Sequence, residues 1–193
     1  MNFKYPSFKI HQSVTRFCLP LSRFSKLPSN QNKTLYIGSI ITKSIKNSTT
    51  ESIKILIVKR QLLNENENEN SFKWEIPNGK VKYGIDQTLI ESIIRIIKDK
   101  IGLIVISIKK EIDSFEYQID NNQKTYKQYN FITEISINDN HSDEEEVLLN
   151  SKEYQAYKWI TKEEVLNLDM TDTMKSVLVN GFKSIEQIAQ QTE

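Results

Sequence analysis

The residues best suited to chemistry lie in one stretch. Trp74-Glu75-Ile76-Pro77-Asn78-Gly79-Lys80-Val81 leads into Asp86, Arg95, Asp99, Lys100 and Gly102, and a further acid, Glu153, lies downstream. Asp86, Asp99 and Glu153 could share a divalent cation if their carboxylates converge. Lys80, Arg95 and Lys100 offer charge to a phosphate-rich ligand. Trp74 could stack a nucleobase, although packing is the commoner use of an aromatic beside an edge strand.

Elements of defined type must position these groups. Leu89, Ile90, Ile93, Ile94, Ile97 and Ile101 recur at helical spacing, which predicts a helix from an Asp86 N-cap to about Lys100, stopped by Gly102. At 100° per residue, Ser92, Ile96, Asp99 and Lys100 share a second face, which places Ile96 off the main apolar stripe. Before this helix, Leu35–Ile45 and Ser52–Lys59 read as a hairpin around a polar linker, and the Asn-Glu tract 64–70 as a loop insertion. After it, two β-rich stretches, Leu103–Tyr117 and Thr125–Ile137, flank an Asp120-Asn121-Asn122 turn. A polar, acidic segment 138–152, a short strand Tyr154–Ile160, a Thr161/Glu164 capping box and a terminal helical region from Thr171 follow. This order of elements predicts an α+β fold, a mixed sheet sandwiched between helices.

The central segment resembles the Nudix family, hydrolases of nucleoside diphosphates linked to another group. The family's box runs Gly, five residues, Glu, seven residues, Arg-Glu, apolar, any, Glu-Glu, any, Gly, apolar, commonly after Trp, a variable residue, apolar, Pro and Gly. The resemblance covers most of the chain, from Ile57-Val58-Lys59-Arg60 before the box to Glu153, Trp159 and Glu164 after it. It implies an α/β/α sandwich and a Mg²⁺ or Mn²⁺ site at the box, where the cation neutralises phosphate and positions water. In that frame Gly79 allows close approach of backbone to phosphate or metal, and Asn78 replaces the usual first Gly.

The match departs where the chemistry lies. Aligned on Arg95 and Gly102, the three box glutamates become Ile96, Asp99 and Lys100, and the Gly79–Gly102 separation of 23 positions is two longer than the family's. Asp86 stands nearest the earlier Glu. Glu153 resembles the family's downstream ligand or base, and Arg95, without a Glu beside it, is expected to be structural. An ammonium beside a Mg²⁺ site repels it by on the order of several kcal/mol. The expectation is therefore a binding or regulatory module whose hydrolase site is impaired. In it Lys100 takes over part of the metal's charge, with Gly79, Lys80, Lys100, Arg95 and Trp74 as ligand-binding residues. The alternatives are an active hydrolase using Asp86, Asp99 and Glu153, perhaps with an acid from 143–146, and a protein-interaction scaffold. The expected ligand is a nucleotide-like diphosphate; nucleic acid is a minor hypothesis and a protein partner stays open.

Composition sets outer limits. One cysteine and two histidines exclude a disulfide scaffold or zinc module, and no apolar run is long enough for a membrane helix. The net charge of +1 hides a split: residues 1–50 contain eight Lys or Arg and no acids, leaving 18 basic and 25 acidic residues to the rest. The expected organisation is a basic N-terminal arm or targeting segment (1–33), a central domain (34–183) and a C-terminal helical tail (184–193). The compartment follows as cytoplasmic, or mitochondrial if the arm directs import.

Overall fold

The computed structural model describes residues 8–46, 51–61, 73–118, 124–136 and 147–190. Eight strands, β1 (Lys9–Ile10), β2 (Lys33–Lys46), β3 (Glu51–Arg60), β4 (Trp74–Glu75), β5 (Asn78–Lys80), β6 (Val105–Gln118), β7 (Thr125–Ile135) and β8 (Tyr154–Ile160), combine with three α-helices, α1 (Leu21–Phe24), α2 (Leu89–Ile101) and α3 (Asp172–Gln190). The sheet runs β1-β6-β7-β2-β3-β4, with β5 also on β2 and β8 also on β3. β2 and β3 form the expected antiparallel hairpin, while β2 and β7 are parallel, so the sheet is mixed. The Asn-Glu tract, the 120–122 turn and the acids 143–146 lie outside the described residues.

Strand alternation divides the core. Leu35, Ile37 and Ile41 of β2 join Leu56, Val58 and Phe131 beneath α2, whereas Ile40, Ile55, Ile57 and Ile132 face α3. Helices therefore cover both faces, as the α/β/α reading requires. Ile185 and Ile188 pack on the second core, so residues 184–190 continue α3 without a break.

The arm is an integral layer. A 3-10 helix, Gln12–Cys18, and α1 bury Val14, Phe17, Leu21 and Phe24 against the first core. The Phe17 ring meets Phe131 at 4.8 Å and Tyr129 and Phe24 at 5.6 Å. The prolines keep these helices short.

Three local expectations are corrected. The N-cap of α2 is Thr88, whose hydroxyl accepts from the Glu91 amide at 3.1 Å, while Asp86 belongs to the preceding loop. Glu91 also accepts from the Gln87 amide at 2.9 Å, so this helix start is tied twice. Ile96 is 1% exposed and part of the first core. The reason is Gly79: a Cβ there would lie 3.1 Å from Ile96, so the missing side chain lets β5 close over that helix face. Ile94, placed on the stripe by spacing, is only half-buried.

Candidate functional site

The box loop between β5 and α2 is held by an ion pair. The Asp86 carboxylate accepts from Arg95 Nε at 2.6 Å, from Arg95 Nη2 at 2.7 Å and from the Lys82 amide at 2.7 Å. Arg95 Nη2 also donates to the Lys80 carbonyl at 3.1 Å. The Asp86 side chain is 2% exposed. Burial opposes its ionisation, but the Arg95 hydrogen bonds and the Lys82 amide outweigh it and hold the carboxyl below its usual range. Arg95, expected both to be structural and to bind ligand, has Asp86 as its partner. Asp99 stands apart with its side chain 54% exposed, 3.8 Å from Arg95 Nη1.

Glu153 belongs to a second cluster at the other end of α2. The amides of Leu148 and Asn150 donate to the Ile101 and Lys100 carbonyls at 3.0 and 2.8 Å, docking the segment before β8 on the helix C-terminus. Gly102, at φ 74°, ends the helix there. This brings Glu153 to Lys100, and the two form an ion pair. Asn150 Nδ2 approaches the second Glu153 oxygen at 3.4 Å. The Lys100 ammonium also lies 5.6 Å from the centre of the Tyr154 ring, whose hydroxyl donates to the Asn78 carbonyl at 3.3 Å. A Cβ on Gly79 would stand 2.9 Å from Lys100 Cε, so this lysine stem passes directly over the box glycine.

Among the described residues, no group of three or more His, Cys, Asp or Glu side chains could hold a metal ion. Asp86 is committed to Arg95, half-exposed Asp99 also lies 3.8 Å from Arg95, and Glu153 pairs with Lys100. The side chains over Gly79 are a hydrocarbon and an ammonium. A divalent cation wants several oxygens around one point, and the donors among the described residues do not converge on one.

Other residues near the box were not singled out from the sequence. Arg60 Nε donates to Glu75 at 2.7 Å, and Glu75 raises the pKa of that guanidinium. Tyr36, Tyr117 and Tyr126 form a ring cluster with centroid separations of 5.3 to 6.5 Å, and Phe115 joins Tyr117 at 5.8 Å. Burial raises the Tyr36 pKa; nearby Arg60 lowers it, and Tyr126, Glu153 and Glu75 raise it. The signal available was alternation: Tyr126, Gln128 and Asn130 on one strand and Phe115 and Tyr117 on another recur with period two. Trp74 lies beside the second core, with Lys59 Nζ 5.9 Å from its ring, and its amide donates to the Asp169 carbonyl at 2.9 Å. Lys80 is exposed on β5.

The model of the NUDIX domain matches residues 44–180, more than half of the chain. The chain belongs to the Nudix family. No curated protein matches it. Among solved structures, a C. elegans Ap4A hydrolase in a binary complex is similar with a TM-score of 0.58 at 16% identity, covering 80% of this chain and 98% of that one. A mutT/nudix family protein from Listeria innocua gives 0.57 at 15%, covering 82% and 97%. The NUDIX domain of Shewanella oneidensis NrtR, solved with ADP ribose, gives 0.53 at 12%, covering 90% and 98%. At these identities the Nudix chains share the fold.

Proposed function

We propose that this Nudix domain binds a nucleoside-diphosphate-type ligand without a metal ion and does not turn it over. The carrying observation is the position of Lys100: its stem crosses Gly79, the box glycine, and its ammonium pairs with Glu153. A fixed ammonium supplies positive charge where the family uses a cation. One of its three donors serves Glu153, leaving others for phosphate oxygens. Exposed Lys80 and Lys82 add charge on the adjoining loop. That a Nudix domain of the same fold was solved with ADP ribose and another is named for Ap4A supports the ligand class.

Lys100 binds and orients, Glu153 positions Lys100, and the Asp86–Arg95 pair fixes the loop carrying Lys80 and Lys82.

Calorimetric titration with ADP and ADP ribose in chelator tests the reading. Binding that is lost in Lys100→Ala and tightened in Glu153→Gln is expected, because removing the carboxylate frees the ammonium. A phosphate-release screen with Mg²⁺ or Mn²⁺ should stay at background. Turnover abolished by Asp99→Ala or Glu153→Ala would establish the relocated carboxylate set instead, and absence of binding in chelator would end the proposal.

A further inference from the structure

The box loop and the N-terminal arm meet at one corner of the molecule. The Leu21 amide donates to the Gln87 carbonyl at 2.8 Å, and a cleft of about 330 Å³ separates Pro20–Ser22 from the turn at Tyr83 and Gly84. The loop folds back sharply there. The Ile85 and Asp86 amides both donate to the Lys82 carbonyl, at 3.1 and 2.9 Å, and Gly84 has a φ of 86°. A Cβ on Gly84 would meet nothing within 4 Å among the described residues, so the tip of the turn stands clear of the body.

This tip is apolar where a solvated turn is ordinarily polar. Ile85 is 64% exposed and Tyr83 53%. Leu19 and Leu27, on either side of α1, are exposed as well. Single exposed apolar side chains are common, but four on two abutting segments mark an interaction surface. The charge around them has one sign. Arg23 and Lys26 of the arm and Lys82 at the foot of the turn are exposed, and none has an acidic partner among the described residues. The nearest acids along the loop and helix are occupied, Asp86 by Arg95 and Glu91 by the Gln87 amide, and residues 1–50 supply no others.

We infer that Leu19, Leu27, Tyr83 and Ile85, with Arg23, Lys26 and Lys82 around them, dock this domain on an anionic lipid surface. Projecting apolar side chains enter the boundary between headgroups and acyl chains, where a tyrosine keeps its ring dry and its hydroxyl wet. Arginine and lysine stems extend past such side chains to put their charge among lipid phosphates. The docking is peripheral, since no helix among the described residues is long and apolar enough to cross a membrane. Two features favour lipid over other polyanions. Single-stranded nucleic acid stacks on aromatic faces, and three of these four side chains are aliphatic. A protein partner buries a broad, closely packed face, whereas Tyr83 and Ile85 stand on a projecting turn. The inference does not depend on ligand binding at Lys100.

Co-sedimentation of the full chain with vesicles tests it, using phosphatidylcholine alone and a seven-to-three mixture of phosphatidylcholine and phosphatidylserine. The chain should partition onto the mixed vesicles, less so as salt rises, and hardly at all onto phosphatidylcholine. Each cation at an anionic membrane contributes about fivefold, so Arg23→Gln/Lys26→Gln should weaken partition roughly twentyfold. Ile85→Ser should weaken it by about tenfold, the effect of withholding one aliphatic side chain from the acyl boundary. All three positions are exposed, so both variants should keep the melting temperature of the natural chain. Ile85→Trp should bind the mixed vesicles, and brominated acyl chains should quench its emission beyond any quenching of the natural chain. Absence of partition, equal partition onto both vesicles, or partition unchanged in Ile85→Ser and in the glutamine variant would overturn the inference. A chain that binds polyglutamate or oligouridylate but no vesicle would assign the corner to an acidic protein or to nucleic acid instead, and would overturn it too.

Discussion

Lys100 and Glu153 form an ion pair directly beside Gly79, so the box of this Nudix chain carries its own cation. The pair exists because two unrelated segments meet: α2 supplies the lysine in its last turn, and the Leu148–Asn150 segment docks on that helix end and delivers Glu153.

Restoring carboxylates should restore metal affinity. In Ile96→Glu/Lys100→Glu, the two new acids join a released Glu153 beside the box glycine. Mn²⁺ titration should show binding to the double variant and none to the natural chain. The variant should be less stable without metal, because Ile96 is buried, and Mn²⁺ should raise its melting temperature. Equal Mn²⁺ affinity in both chains would contradict the donor-set argument.

The Asp86–Arg95 pair should matter for stability rather than ligand contact. Arg95→Met leaves a buried carboxylate without its partner and should cost roughly 3–5 kcal/mol in urea denaturation. The folded-state pKa of Asp86 lies below its ordinary value, so its stabilisation is complete above about pH 4 and lost as pH falls through the folded value. The stability gap between the natural chain and Asp86→Asn should accordingly narrow below about pH 4. A gap that stays constant down to pH 2 would show that Asp86 contributes no charge-dependent stability.

Legibility followed periodicity. The α2 stripe, the β2–β3 hairpin and Tyr154–Ile160 were readable because side-chain direction repeats within a strand or helix. Partnership across segments was not readable. Nothing in the chain order says that Lys100 meets Glu153, or that Arg95 takes Asp86 as well as its helix neighbour Asp99. Ile96 was misjudged because helix geometry alone ignores the strand packed on it, and Gly79 is what brings that strand close. The arm was left between two readings for a related reason: its acid-free composition resembles a targeting segment, while its burial depends on where Phe17 lands.

Gly102 links helix termination to site assembly. It has a positive φ, and an added Cβ would lie 2.8 Å from Leu148 Cβ. Gly102→Ala should cost roughly 1–3 kcal/mol through backbone strain and crowding of the docked segment. Because that segment carries Glu153 toward Lys100, diphosphate affinity in chelator should change as well. A melting temperature and affinity both equal to those of the natural chain would separate the cap from the site.

The N-terminal arm provides the last prediction. Phe17 is fully buried among Phe24, Tyr129 and Phe131, Leu21 donates its amide to the Gln87 carbonyl at 2.8 Å, and the Tyr129 hydroxyl donates to Asn30 at 2.6 Å. The arm therefore covers the α2 side of the sheet and braces the loop entering that helix. Phe17→Ala should cost about 3–5 kcal/mol, the usual range for truncating a buried phenylalanine. Deleting residues 1–31 removes four buried apolar side chains at once and should abolish cooperative unfolding. The same reasoning bears on import: cleavage near residue 33 would strip the core, so mass spectrometry of the protein isolated from its cells should find residues 8–31 retained. A truncated chain that unfolds cooperatively at the same urea midpoint as the full chain would show the arm to be dispensable and return the targeting reading to favour.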